Sequence, residues 1–185
     1  PIRGLLERRL SQAIHLRQRV VPGDTNAYRL VNGAGDGLPG LVLDRYDSVI
    51  VIRLYSGAWE PHIDPLIDVV RKSTSAKTII RKFGVRNVDG GKSGGELLSG
   101  DPLPERLVIK ENGLYFRVRP LTGQKTGFFL DQRANRAHLG QRQERGRAAV
   151  RRLARAPGAH GAPGRRARAE RRGRARAAAQ LQPVV

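Results

Sequence analysis

From residue 143 onward this chain has almost nothing to bury. Residues 143–185 hold twelve Arg, no Lys and two Glu, with twelve Ala, five Gly, three Pro and no aromatic residue. Ordering one residue costs roughly 1–2 kcal/mol of backbone entropy, which the burial of apolar side chains must offset. Ala with a few Leu and Val cannot do so, and this stretch reads as a disordered or loosely helical tail. Any packed core must therefore come from residues 1–142. Two origins fit the tail: an arginine-rich nucleic-acid arm, or GC-rich coding sequence translated in a shifted frame. The second carries more weight, because a shifted frame yields this same mixture of Ala, Arg, Gly and Pro.

The tail contributes +10 and residues 1–142 contribute +9 to a formal charge of +19. A partner of acidic character follows, nucleic acid first and an anionic membrane surface second. Cys is 0, which excludes a disulfide framework, a thiolate metal site and a cysteine nucleophile in this chain. His15, His62, His138 and His160 have no zinc-pair spacing, so no metal is expected. No run of about 18 apolar residues or signal-peptide core occurs, so no membrane-spanning helix is expected. Met is 0 as well. Residue 1 then reads as a processed end or an internal cut, and Pro1 leading straight into a helical pattern favours the cut.

The body reads as α+β. Leu5, Leu6, Leu10, Ile14 and Leu16 recur at helical spacing between Arg3 and Arg19, and Val21-Pro22-Gly23-Asp24 ends that helix. Ala27 to Val31, Gly40 to Asp44 and Ser48 to Tyr55 read as strands. The run Val49-Ile50-Val51-Ile52 suits a central strand covered on both faces. Glu60 to Lys72 returns to helical spacing, with Pro61 in its first turn. Thr78 to Phe83 is a further strand. Leu107 to Lys110 and Leu114 to Arg119 flank Asn112-Gly113, a strong hairpin signal because both residues accept positive φ. Leu114, Phe116 and Val118 point one way while Tyr115, Arg117 and Arg119 point the other. The expected fold is a small mixed or antiparallel sheet with packed helices.

Several motifs point to less than they suggest. Gly35-Asp36-Gly37-Leu38-Pro39-Gly40 matches G-x-G-x-x-G, but strand-like Leu41-Val42-Leu43 follows where a dinucleotide site needs a helix. It reads as a turn between strands. Gly91-Lys92-Ser93 resembles the end of a P-loop, whose first Gly would fall at Arg86. Asp89 to Gly95 is then a flexible Gly-rich loop, near an anion at most. Trp59 and the Tyr residues are too scattered for a base-stacking face, and core packing is their default.

Gly123-Gln124-Lys125-Thr126-Gly127-Phe128-Phe129-Leu130-Asp131-Gln132-Arg133 stands out. Two Gly permit close backbone approach, and Lys125 and Arg133 can meet an anion or carboxylate. Phe128 and Phe129 can pack one ring in the core and offer the other to a planar ligand. Asp131 is placed to cap a helix over 132–142. The residues alone fit a ligand loop and a structural turn with a cap equally well.

Three motifs in order resemble the bacterial class I S-adenosylmethionine (SAM)-dependent 23S rRNA cytosine-C5 methyltransferases. They are Thr25 to Val31, then Asp36 to Tyr46, then Gln124 to Arg133 with Asn135-Arg136; the resemblance covers roughly residues 3–140. It implies an enzyme with an RNA-binding PUA domain in front, a central α/β domain, and a Rossmann-like methyltransferase domain behind. Residues 1–120 would be the central domain with the helix before it. Residues 121–142 would begin the SAM-dependent domain, and 143–185 would be the tail. The resemblance places Lys125, Thr126, Phe128, Asp131 and Arg133 on the cofactor side. It implies SAM as cofactor, 23S rRNA as partner, and a cytoplasmic setting.

This sequence also departs from that pattern. The family follows its Asn-Arg pair with a buried strand and a glycine loop for the cofactor, whereas residues 147–157 here are mostly Arg and Ala. The PUA domain is missing. The family's chemistry needs a Cys thiolate to attack C6 of cytosine, and no residue here can take that role. The chain accordingly reads as a methyltransferase fragment with no catalytic residue of its own, inactive alone. The competing reading is a non-catalytic basic RNA-binding module. Reading the coding sequence beyond codon 142 in the two other frames checks the origin of the tail. A strand followed by a Gly-rich loop is the expected outcome, and its absence from both frames favours a native arm.

Overall fold

The apolar spacing that starts the chain forms helix α1 (Ile2–Val20), with Leu6, Leu10 and Ala13 on its buried stripe. Arg17 and Arg19 occupy its last turn, where the carbonyl end of the helix dipole favours cations. The computed structural model describes residues 2–140, and the tail expected from 143 lies outside the described residues. Residues 1–137 form one compact unit. Of the second unit, which starts at His138, residues 138–140 are described, as helical backbone.

Strands β1 (Ala27–Asn32), β2 (Leu41–Tyr46) and β3 (Val49–Leu54) follow as antiparallel neighbours. The glycine-rich match at 35–40 lies in their first connection, as expected. There Gly40 has φ 78°, and a Cβ on it would meet the Ser56 Cβ at 2.8 Å. A 3-10 turn at Gly57–His62 holds Pro61 and leads into α2 (Ile63–Ser73). The α-helix therefore starts three residues after the expected Glu60.

β4 (Thr78–Lys82) pairs with β3 in parallel, and β5 (Gly95–Gly100) pairs with β4 antiparallel. The sheet order is β1-β2-β3-β4-β5, a mixed sheet as the sequence predicts. β5 itself is not foreseen, because Gly95-Glu96-Leu97-Leu98-Ser99-Gly100 has a weak strand composition. Between β4 and β5, Asp89 closes the short helix α3 (Arg86–Asp89), and the turn that follows through Gly90, Gly91 and Gly94, all at positive φ, agrees with the Gly-rich loop read there. Asp89 is buried and accepts from the amides of Gly84 at 2.8 Å and Val85 at 2.7 Å, and from Arg81 at 2.9 Å. The hairpin β6 (Leu107–Glu111) and β7 (Leu114–Val118) turns through Asn112 at φ 50° and Gly113 at φ 76°.

Strand alternation sorts the sheet into two faces. Leu41, Leu43, Ile50, Ile52, Leu54 and Ile79 join Leu6 and Leu10 of α1 and Leu66, Val69 and Val70 of α2 in one apolar cluster. Tyr46, Val49, Val51 and Ile80 face the other way, onto Leu107, Ile109 and Val118 of the hairpin. The run Val49–Ile52 is thus buried on both sides, as its continuous apolar character predicts. Among the described residues, no helix is long and apolar enough to cross a membrane, and no group of three metal-ligating side chains occurs.

Ion pairs lock the connections on the helical side. Arg17 donates to both carboxylate oxygens of Asp36, at 2.5 and 2.7 Å. Arg81 bridges Glu60 at 2.5 Å and Asp89 at 2.9 Å. Burial opposes ionisation of Asp36 and Asp89, but the Arg17 and Arg81 bonds and the backbone amides outweigh it and hold both below their ordinary 3.8. Hydrogen bonding to Arg81 likewise holds Glu60 below 4.5. A depressed native pKa means that the unfolded chain takes up the proton first. This stabilisation is complete above about pH 5 and lost as pH falls through the depressed values. The thermal midpoint, followed by circular dichroism, is expected to fall between pH 5 and pH 3. It should fall less steeply in a D36N/D89N variant.

Candidate functional site

The segment 121–133 lies against the hairpin side of the sheet, and polar groups on that face position it. A Cβ on Gly127, at φ 101°, would meet Pro120 Cα at 2.6 Å and Arg119 C at 2.7 Å. On Gly123 it would meet Arg119 O and Gly127 Cα at 2.9 Å each. The two glycines thus supply the close approach expected of them. Lys82, on the same face of β4, donates through Nζ to the carbonyls of Leu121 and Gly123. Burial, reinforced by nearby Arg53, pulls this lysine below its ordinary pKa.

Asp44 is at the centre of this face. Its side chain is fully buried, and Arg29, its register partner across β1 and β2, donates to both of its oxygens at 2.9 and 3.2 Å. The Thr126 hydroxyl donates to Asp44 Oδ2 at 2.6 Å and lies 2.8 Å from the Tyr46 hydroxyl. With its own proton committed to Asp44, Thr126 accepts from Tyr46. Burial first, and then the Asp44 charge, push the Tyr46 pKa far up, so the phenol stays protonated as that donor. Bonding to Asp44 raises Arg29 further.

The five residues singled out by the sequence do not form one surface. Thr126 is buried, with 2% of its surface exposed, and is fully engaged within the protein. Phe128 packs against Phe116 with ring centroids 5.2 Å apart. The Arg136 guanidinium lies 4.2 Å from the Phe128 ring centroid and is held by the buried Glu111 at 2.7 and 2.8 Å. Phe129 is 38% exposed and lies beneath Lys125 Nζ at 4.8 Å. One ring therefore goes inward and the other outward, as the sequence suggests.

Asp131 requires a correction. It lies within a 3-10 turn, Leu130–Gln132, and its carboxylate accepts from Lys125 at 2.7 Å instead of capping the helical backbone that follows. That bond holds it below the ordinary range. Asp131 and Arg133 border an open groove of about 330 Å³ that Arg17, Tyr28, Arg29 and Asn32 also line. Asp44, Tyr46, Lys82 and Arg29 hold this segment or one another and are not among the residues that the sequence singles out. A signal was present: Asp44 interrupts the apolar run Leu41–Tyr46 at the alternation position it shares with Tyr46. A carboxylate so placed demands a buried partner.

No protein-family model matches the chain. It is similar to "Ribosomal RNA large subunit methyltransferase" of Deinococcus radiodurans, 40% identical over 121 residues, covering 63% of this chain and 30% of that protein. It is also similar to "Ribosomal RNA large subunit methyltransferase I" of Alteromonas mediterranea, 38% identical over 137 residues, covering 72% and 34%. Among solved structures, one assigned as a SAM-dependent methyltransferase from Streptococcus mutans superposes with a TM-score of 0.64 at 27% identity, over 74% of this chain and 35% of that one. A second, assigned as a methyltransferase and complexed with SAH, gives 0.63 at 26%, over 72% and 34%. This chain spans about a third of the length of each of these four proteins.

Thr126→Val keeps the shape of the site and removes the hydroxyl that joins Asp44 to Tyr46. It leaves the buried phenol without its acceptor, at a cost of about 1–3 kcal/mol. Urea unfolding should register that loss, and Thr126→Ser should recover most of it.

Proposed function

We propose that this chain is a piece of a SAM-dependent methyltransferase of large-subunit rRNA, comprising its central α+β domain and the first segment of its catalytic domain. The observation that carries the reading is the attachment of 124–133 to the sheet through Asp44, Thr126 and Tyr46. Similarity to rRNA methyltransferases over 121 and 137 residues supports it. The finer parts of the reading come from the resemblance of the motifs. They are methylation at C5 of a cytosine in 23S rRNA, a PUA domain ahead of this piece, a catalytic domain beginning near residue 121, and a cytoplasmic enzyme.

SAM is the cofactor of the complete enzyme in this reading, and the described residues do not enclose it. Thr126 and Phe128 are turned into the protein. The buried side-chain nitrogens without partners among the described residues, Nε of Arg9, Arg53 and Arg81, belong to none of the five residues singled out. Lys125, Phe129, Asp131 and Arg133 offer one wall at most. The work of this chain is accordingly to fix the entry of the catalytic domain against a rigid sheet, with Thr126 as a positioning residue. The reacting groups, including the thiolate that the resemblance requires, are not among its residues.

A graft tests this reading. Residues of this chain would replace the matching 121 residues of the Deinococcus radiodurans relative. The folded chimera is expected to transfer radiolabelled methyl from SAM to 23S rRNA, while this chain alone labels nothing. A chimera that folds and binds SAM without methylating rRNA overturns the proposal, and labelling by the isolated chain overturns the incomplete site.

A further inference from the structure

The hairpin β6–β7 has two chemically different faces. Its inner face carries Leu107, Ile109, Phe116 and Val118, all packed on the sheet. Its one strand carboxylate, Glu111, is 1% exposed and paired with Arg136. The register places Val108 opposite Arg117 and Lys110 opposite Tyr115 on the outer face. Arg106 and Arg119 continue that alternation just past the strand ends, and both are exposed. The outer face thus holds four cations, one aromatic ring and one Val, with no carboxylate from either strand. None of the four cations pairs with a described carboxylate. Tyr115 is 73% exposed and Val108 49%, so core packing, the default expected for the Tyr residues, does not apply here.

A solvated face explains the cations but not a large ring held open among them. Proteins that bind single-stranded nucleic acid combine these two features: a π-face for a base and flanking cations for the phosphates on either side. Alternate residues on one strand face are about 7 Å apart and cross-strand partners about 5 Å apart. Lys110 and Arg117 therefore flank the Tyr115 ring from two directions. We infer that the outer face of β6–β7 is a docking platform for single-stranded RNA, with Tyr115 stacking on one base and Lys110 and Arg117 on adjacent phosphates. This rests on the rRNA partner of the proposed function and assigns the surface that meets it.

Photo-crosslinking of the full chain to a short single-stranded RNA carrying 5-iodouridine tests the inference. The tail holds no aromatic residue, so it adds background affinity but cannot supply the aromatic acceptor. The expected adduct lies on the tryptic peptide 111–117, at Tyr115. Tyr115→Ala should abolish it and weaken binding roughly tenfold, and Tyr115→Phe should restore affinity. Lys110→Ala with Arg117→Ala should reduce the log–log salt slope by about 1.4. Adducts confined to other aromatic residues, or affinity unchanged in Tyr115→Ala, overturn the inference. So does Tyr115-dependent binding of polyglutamate with no response to RNA, which assigns the face to an acidic protein. A methylating chimera without the Tyr115 adduct discards the platform alone; an adduct with an inactive chimera discards the enzyme reading alone.

Discussion

A fully buried carboxylate sets the terms for the hairpin side of this molecule. Taking Asp44 out of water costs several kcal/mol unless charge and hydrogen bonds compensate it in place. Arg29 and Thr126 do so from β1 and from the 121–133 segment, so three stretches far apart in sequence must be seated together. The polarity of the network is fixed as well. The Asp44 carboxylate accepts, the Thr126 hydroxyl donates its hydrogen bond to it, and Tyr46 is held protonated to donate to Thr126. A register slip of one residue in β2 would turn Asp44 toward the helices and leave Arg29 and Thr126 without it. The network is thus a specificity device for the strand register as well as a support for the segment.

The same alternation couples the two sides of the sheet. Arg81 and Lys82 are neighbours in β4 and point to opposite faces. Arg81 gathers Glu60 and Asp89 on the helical side, and Lys82 holds the Leu121 and Gly123 carbonyls on the other. β4 is also the strand that pairs in parallel with β3 and antiparallel with β5. A shift of β4 along its axis would therefore disturb the α2 connection and the entry to the 121–133 segment together.

Elements governed by local signals were legible in the sequence, and those governed by partners elsewhere were not. Helix α1, the doubly buried β3 and the Asn112-Gly113 hairpin each carry their own pattern of apolar spacing or turn chemistry. β5 does not: Gly95 and Gly100 flank a short segment whose strand state comes from pairing with β4. The Gly-rich turn before β5 is legible from its glycines, whereas the placement of Asp89 at the end of α3 is not, because nothing in Asp89 to Gly95 shows that Arg81 will sit against it. Thr126 was noticed for its motif, but its inward orientation depends on Asp44 and Tyr46, some eighty residues earlier. Tyr115 is legible from local alternation, which sets it with Arg117 and Arg119 opposite Leu114, Phe116 and Val118, and the hairpin register turns that face outward.

These placements divide the labour of the residues. The part of the 124–133 motif that is most constrained, Thr126 between two glycines, faces the protein and not solvent. Lys125 and Asp131 face out but satisfy one another at 2.7 Å, and the same Lys125 lies over the Phe129 ring at 4.8 Å. A motif built mainly to receive a ligand would keep its polar atoms free for it, as buried polar groups without partners are costly. This one commits them to the sheet. Its geometry is that of a joint between the segment and the sheet.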